Sequence, residues 1–405
     1  MMDGIAPGAG VEAAGASHRA PLLAFIADTA TATAVREGLS AVLPGGFETR
    51  RGNVRTALHA LGQMPTPNAL VIDIAGEEQP LAMLADLRHV VEPHVKVMVV
   101  GDRQDVTFYR EVTRTLGAVE YLYKPVSAEM VARHFGAQLL ETAPGNAGVG
   151  GRLICLSGTR GGVGATTLAV SLAWYVATIG RRYVMLLDSD LRTGNAAMLL
   201  GCTPGPGLRL ALEAPDRVDD LFLERSAIPV VDRLHMLASE DAPETCPPYR
   251  AEAVDRLSAV MRRRFNYVVA DAPFHGDAFA RDLRDAAQQR VLVLLPTLAS
   301  MREALRTIAL PVASGQARRP VLVLNRAGMP GGLPRATVEE TLGCRIDVAV
   351  PDLPKPVGVA ESIGEPAAKA SAAFRGAIAQ LAGEVAFMAD AATGAPGWLA
   401  RWRRR

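Results

Sequence analysis

The stretch Ser157-Gly-Thr-Arg-Gly-Gly-Val-Gly-Ala-Thr-Thr167 decides how the rest of this chain is read. A short apolar run, Leu153–Leu156, leads into it, and an uncharged helical stretch follows. Strand, Gly-rich turn and helix in that order make a loop that cradles phosphate. Glycines at 161, 162 and 164 let the backbone turn its N–H groups inward around an anion, and the helix N-terminus adds partial positive charge. Thr166 stands where a hydroxyl coordinates Mg²⁺. Taken alone, the loop is also compatible with a plain tight turn before a helix. Residues 161–180 carry no charge and approach the ~20 residues of a membrane span. The glycines at their start, with Thr166, Thr167 and Ser171, predict a buried helix instead.

Working outward, strand and helix patterns alternate along nearly the whole chain, which predicts parallel sheets covered by helices. In the first run, strands are expected at Leu22–Ala27, Ala69–Ile74, Lys96–Val100 and Val119–Leu122, with helical stretches such as Ala32–Val42 and Leu81–Val91. In the second, strands are expected at Leu153–Leu156, Tyr183–Leu187, Leu234–Leu237, Tyr267–Ala270, Arg290–Leu295, Val321–Leu324 and Ile346–Val350, and a last helix over about Lys369–Ala391. Continuous Val/Ile/Leu runs suit strands buried on both faces. The expectation is an α/β protein of two doubly wound domains, 21–141 and 152–392. A Gly/Ala lead-in (1–20), a linker (142–151) and a basic tail (393–405) complete it.

The composition bounds the function. Of 405 residues, 43 are Lys or Arg and 42 Asp or Glu, a net charge of +1. That balance argues against a whole-chain polyanion binder and against sequence-specific nucleic-acid recognition. Lysine stands only at 96, 124, 355 and 369, so chemistry between 124 and 355 proceeds without an ammonium group. Cys155, Cys202, Cys246 and Cys344 lie far apart with no CxxC pair, which suits a reducing compartment rather than a zinc site or disulfide framework. The first twenty residues have no apolar h-region, so no secretory signal is expected. The histidines show no HxxxH or HExxH spacing, and His275, near Asp271 in sequence, receives no role.

The segment RGGVGATT (Arg160–Thr167) resembles the deviant Walker A motif, KGGVGKTT, of the MinD/ParA class of P-loop ATPases. Similar segments follow in the family's order: VMLLDSDLRTGNAAMLLG (Val184–Gly201), YVVADAP (Tyr267–Pro273), VLVLNR (Val321–Arg326) and VPDLPKPVGVAESIGEP (Val350–Pro366). The resemblance implies a dimer that sandwiches ATP or ADP with Mg²⁺. Gly161, Gly162, Val163, Gly164, Ala165, Thr166 and Thr167 would surround the phosphates, and Arg160 would reach the partner's phosphates. Thr166, Asp188 and Asp271 would serve the metal, and Asp190 would orient water. Asn325, Pro351 and Asp352 would meet the base. The two lysines of the family's pattern are Arg160 and Ala165 here. Arg160 keeps a cation suited to bidentate phosphate contact, whereas Ala165 removes one. A lost charged hydrogen bond costs on the order of 1.5–3 kcal/mol, so binding is expected to survive and hydrolysis to be weak or absent.

The first run resembles a response-regulator receiver. LVIDI (Leu70–Ile74) puts Asp73 where receivers carry their phosphoacceptor, and GAVEYLYKP (Gly117–Pro125) puts Lys124 where they carry a lysine. The acid pair after the first strand is reduced to Asp28, and Gly101 replaces a hydroxyl residue. A docking module is therefore expected in preference to a phosphorylated switch. With GDRQDVTFYREVTRTLGAVEYLYKP (Gly101–Pro125) and PDRVDDLFL (Pro215–Leu223), the combination resembles the CpaE/TadZ family of pilus assembly proteins. This implies a localisation factor for Flp/tight-adherence type IV pilus machinery, partnered by that machinery's ATPase and inner-membrane components. It would be cytoplasmic, at the inner face of the membrane or the cell pole. Trp398 and Trp402 beside Arg401, Arg403, Arg404 and Arg405 suggest contact with anionic membrane, at about 1 kcal/mol per arginine. Two rival readings are an active MinD/ParA-like ATPase partitioning cargo on membrane or DNA, and a phosphorylation-controlled response regulator.

Overall fold

Among the described residues the strands form two sheets, and every strand pairing but one is parallel. The computed structural model describes residues 19–64, 66–140, 150–245, 249–273, 277–313, 316–317 and 319–386. The chain divides into two compact units, Met1–Leu84 with Val95–Gly145, and Ala85–His94 with Asn146–Arg405. The tail tryptophans and arginines, Cys246 and His275 lie outside the described residues.

The first unit contains β1 (Leu23–Ile26), β2 (Glu48–Arg51), β3 (Ala69–Asp73), β4 (Lys96–Gly101) and β5 (Glu120–Tyr123), in spatial order β2-β1-β3-β4-β5, all parallel. This is the flavodoxin-like order, in which the crevice at the strand carboxyl ends opens between β1 and β3. β3 is buried along its whole length, as its ALVID sequence predicts. β2, with sequence ETRR, was not expected. It is a half-exposed edge strand without apolar periodicity.

The second unit contains β6 (Arg152–Gly158), β7 (Val184–Asp188), β8 (Ile228–Val231), β9 (Leu234–Leu237), β10 (Tyr267–Asp271), β11 (Gln289–Leu294), β12 (Val321–Ala327) and β13 (Val348–Pro351). Their order is β13-β12-β11-β6-β10-β7-β9-β8, and only β8 is antiparallel to its neighbour. β6 lies at the centre, between β10 and β11, so the loop that leaves it opens at the middle of the sheet's carboxyl edge. The helix Ala165–Thr178 packs on one face with the helix Ala372–Ala386, burying Leu168, Leu172 and Val176 against Ile378 and Leu381. Each such side chain contributes about 1.5–3 kcal/mol. That helix has 14 residues, and among the described residues no helix is long and apolar enough to cross a membrane.

Two boundaries differ from expectation. The last helix is two helices, Ala367–Ala370 and Ala372–Ala386, because Ser371 is extended (φ −129°, ψ 121°) and its hydroxyl accepts from the Phe374 N–H. β7 runs to Asp188, one residue past its expected end, and Asp190 stands in the turn that follows.

Candidate functional site

The loop after β6 is shaped by its glycines. Gly162 and Gly164 have φ of 78° and 87°, a left-handed backbone that other residues adopt only with strain. A Cβ at Gly164 would come within 2.5 Å of the Asn325 Nδ2, so that position also requires a bare backbone. Val163 is buried beneath the loop, while Arg160, Gly161 and Gly162 are exposed. Thr159 is anchored from β11, with its N–H on the Val293 carbonyl and its hydroxyl on Ser300 Oγ at 3.2 Å. From Gly161 through Thr167, no backbone N–H donates to an acceptor among the described residues. A row of unpartnered N–H groups at a helix N-terminus is an anion cradle. The donor set fits a polyphosphate.

Carboxylates face this cradle. Asp271 ends β10 directly beside Asp188 at the end of β7, since the two are register partners. Asp188 accepts from the Asp190 N–H at 3.1 Å and the Ala196 N–H at 3.1 Å. Burial pushes both carboxyls above the usual range. The Asp188 charge pushes Asp271 further, and Asp190 pushes Asp188, although the N–H groups on Asp188 and the Thr166 hydroxyl on Asp271 work the other way. Asp190 behaves differently. Burial raises it, but the Thr193 hydroxyl at 2.5 Å and the N–H groups of Thr193 and Arg192 outweigh burial and hold it below the usual range. A hydroxyl on a carboxylate pair of this kind suits Mg²⁺, which prefers oxygen ligands and retains waters.

Loop and carboxylates line one cavity of 470 Å³, within the usual range for small-ligand sites. Arg160, Gly161, Gly162, Val163, Gly164, Ala165, Thr166, Thr167, Asp188, Asp190 and Asp271 all border it. Asn325, Pro351 and Asp352 do not. The Asn325 amide instead donates to the Val163 carbonyl at 2.8 Å, tying β12 to the loop, and its Oδ1 accepts from the Arg326 N–H. Asp352 pairs with Arg326 at 2.9 Å, and Pro351 ends β13 exposed. Asn325 and Asp352 are thus structural ties in this chain. The sequence reading missed Thr193, Gly194, Asn195 and Glu361. A Cβ at Gly194 would lie 2.6 and 2.7 Å from the Asp188 oxygens, so only glycine lets the turn close over that carboxylate. Glu361 accepts from the Thr167 hydroxyl at 2.9 Å. The glycine between two polar residues in RTGN was the available signal for the turn; nothing in the sequence marked Glu361.

A second constellation sits at the carboxyl edge of the first unit. Asp73 is fully buried. Its Oδ2 accepts from Lys124 Nζ at 2.7 Å and the Ala27 N–H at 3.0 Å, and its Oδ1 from the Ala75 N–H. Lys124 also donates to Asp28 at 2.7 Å. Burial opposes ionisation of Asp28, yet bonds from Lys124 and Thr31 hold it down at about 2. At Gly101 a Cβ would lie 2.8 Å from the Tyr121 hydroxyl, which is bonded to the Arg103 backbone. Tyr121 therefore occupies the space a side chain at 101 would need.

No family model matches the chain. It is 29% identical over 161 residues to the septum site-determining protein MinD of Synechocystis, and 32% identical over 160 residues to the antiactivator FleN of Pseudomonas aeruginosa. Each alignment takes in 39% of this chain, with 59% of MinD and 56% of FleN, so the chain spans little more than half the length of these curated relatives. A ParA family ATPase from Chlorobium tepidum matches with a TM-score of 0.51 and 20% identity, over 56% of this chain and 96% of that one. The chain has the MinD/ParA P-loop ATPase fold. The CpaE pilus assembly protein of Caulobacter crescentus is 30% identical over 30% of this chain and 99% of that one, with a TM-score of 0.28, from which no structural equivalence follows.

Proposed function

We propose that the chain is a nucleotide-binding localisation factor for pilus assembly of the Flp/tight-adherence type, working as a nucleotide-sandwich dimer with weak or no ATP hydrolysis. The observation that carries the reading is the unpartnered N–H row of Gly161–Thr167, facing Asp188 and Asp271 across a cavity in which position 165 offers only a methyl group. Backbone, Thr166 and Mg²⁺ account for binding. The missing cation accounts for slow turnover, because phosphoryl transfer depends on charge stabilisation. In this reading Gly161–Thr167 hold the phosphates, Thr166, Asp188 and Asp271 serve the metal, and Asp190 positions water. Arg160, exposed and with no acceptor among the described residues, faces the partner.

The name of one relative, a septum site-determining protein, supports localisation. The pilus assignment rests on the resemblance of the Gly101–Pro125 and Pro215–Leu223 segments. The first unit is read as a receiver-like docking module at the membrane face or cell pole. The strand order supports this, and the single Asp28 in place of an acid pair, with Gly101 in place of a hydroxyl residue, speaks against phosphate acceptance. Purified protein, analysed for released nucleotide and for mass with and without ATP, tests the core of the reading. A nucleotide-dependent dimer that Arg160→Ala returns to monomer is expected. A monomer indifferent to ATP contradicts it. Acetyl phosphate is expected to leave Asp73 unlabelled.

A further inference from the structure

The nucleotide cavity has a charge imbalance. Asp188, Asp190, Asp271 and Glu361 border it, and Arg160 is the one basic residue among its described lining. A bound polyphosphate adds more negative charge, and position 165 supplies no cation within the same chain. A Mg²⁺ ion offsets part of this, but the phosphate oxygens on the side away from the metal still require a donor.

The turn after β7 places one within reach. Asp190 accepts from the N–H groups of Arg192 and Thr193 at 3.1 and 2.9 Å and from the Thr193 hydroxyl, so the backbone carrying Arg192 is fixed from both sides. The residues that follow, Thr193, Gly194 and Asn195, all border the cavity. Arg192 is exposed, and its guanidinium donates to no acceptor among the described residues. Its backbone N–H is bonded to Asp190, and both Asp190 and the next residue, Thr193, border the cavity. A fixed backbone, an uncommitted guanidinium and a planar fork suited to phosphate oxygens occur together here.

We infer that Arg192 supplies, from the same chain, the phosphate-binding cation that position 165 lacks. It is a positioning and charge-compensating group for bound nucleotide, and it rests on the nucleotide reading above. Its guanidinium would serve phosphate oxygens of a bound nucleotide. Arg160 remains for the partner's phosphates, so the two arginines have separate tasks.

A double-mutant cycle tests this by equilibrium binding of a fluorescent ATP analogue with Mg²⁺ to the full chain. Arg192→Gln is expected to weaken binding about 10-fold or more in the natural background, as loss of a charged hydrogen bond does. Arg192→Lys is expected to keep most of the affinity. In an Ala165→Lys background the same Arg192→Gln change is expected to cost less than about 3-fold, because the cation is already supplied. Unchanged melting temperatures for the variants verify folding, which an exposed side chain favours. Equal losses in both backgrounds, or no loss in either, overturn the inference while leaving nucleotide binding intact. If the natural chain binds no analogue at all, the nucleotide reading itself fails.

Discussion

Gly194 shows how far a single residue constrains this site. Its missing side chain lets Asp188 lie against the turn, and a Cβ there would meet the Asp190 carbonyl at 2.3 Å and both Asp188 oxygens. Gly194→Ala is expected to cost about 1–3 kcal/mol by overpacking and to abolish Mg²⁺-dependent nucleotide binding, as chemical denaturation and titration would show. Asp188 and Asp271 set the pH response. Their folded values, pushed up to about 6 and about 7, exceed the ~3.9 of an unfolded Asp. The native state therefore holds extra protons between those limits. The associated stability is complete below the unfolded value and is lost as pH rises through 6 to 7. In EDTA, the melting temperature is expected to fall from pH 5 to pH 8. Asp271→Asn is expected to remove most of that slope, and a slope unchanged by the substitution would contradict the assignment. In the first unit, Lys124→Ala leaves the buried Asp73 without its countercharge and is expected to cost about 3 kcal/mol.

At the scale of elements, the Asn325 amide joins β12 to the loop through the Val163 carbonyl. Asn325→Ala leaves that carbonyl unsatisfied, and a loss of about 1–3 kcal/mol is expected, with faster hydrogen exchange confined to the loop and the start of its helix. The same residue marks the limit of sequence reading. Asn at the end of an apolar strand was legible as a site-proximal polar group, but which neighbour its amide meets depends on a pairing between segments 162 residues apart. Central strands such as β6 and β10 were legible because burial on both faces leaves continuous apolar runs. β2 and β8 were not. β2 is a charged edge strand, and β8 carries Pro229, which a strand tolerates only at an edge. The phosphate cradle was legible from its glycines, because the left-handed φ values at 162 and 164 are a local demand. Glu361 was not, because its role follows only from the tertiary contact with Thr167.

At the scale of the whole molecule, a P-loop cradle that lacks its lysine is proposed to bind nucleotide and to turn it over slowly. Charge decides this, since the carboxylates, the Thr166 hydroxyl and the N–H row are all in place. A dimer would further bring Arg160 of each copy to the other's phosphates and would add its own affinity. The most direct measurement is steady-state ATP hydrolysis alongside equilibrium ATP binding, on the natural chain and on Ala165→Lys in the same conditions. Saturable Mg²⁺-dependent binding by the natural chain with little turnover is expected. In Ala165→Lys, binding tightened about 10–150-fold and hydrolysis clearly raised are expected. Rapid hydrolysis by the natural chain that Ala165→Lys leaves unchanged would show that the missing lysine does not limit turnover.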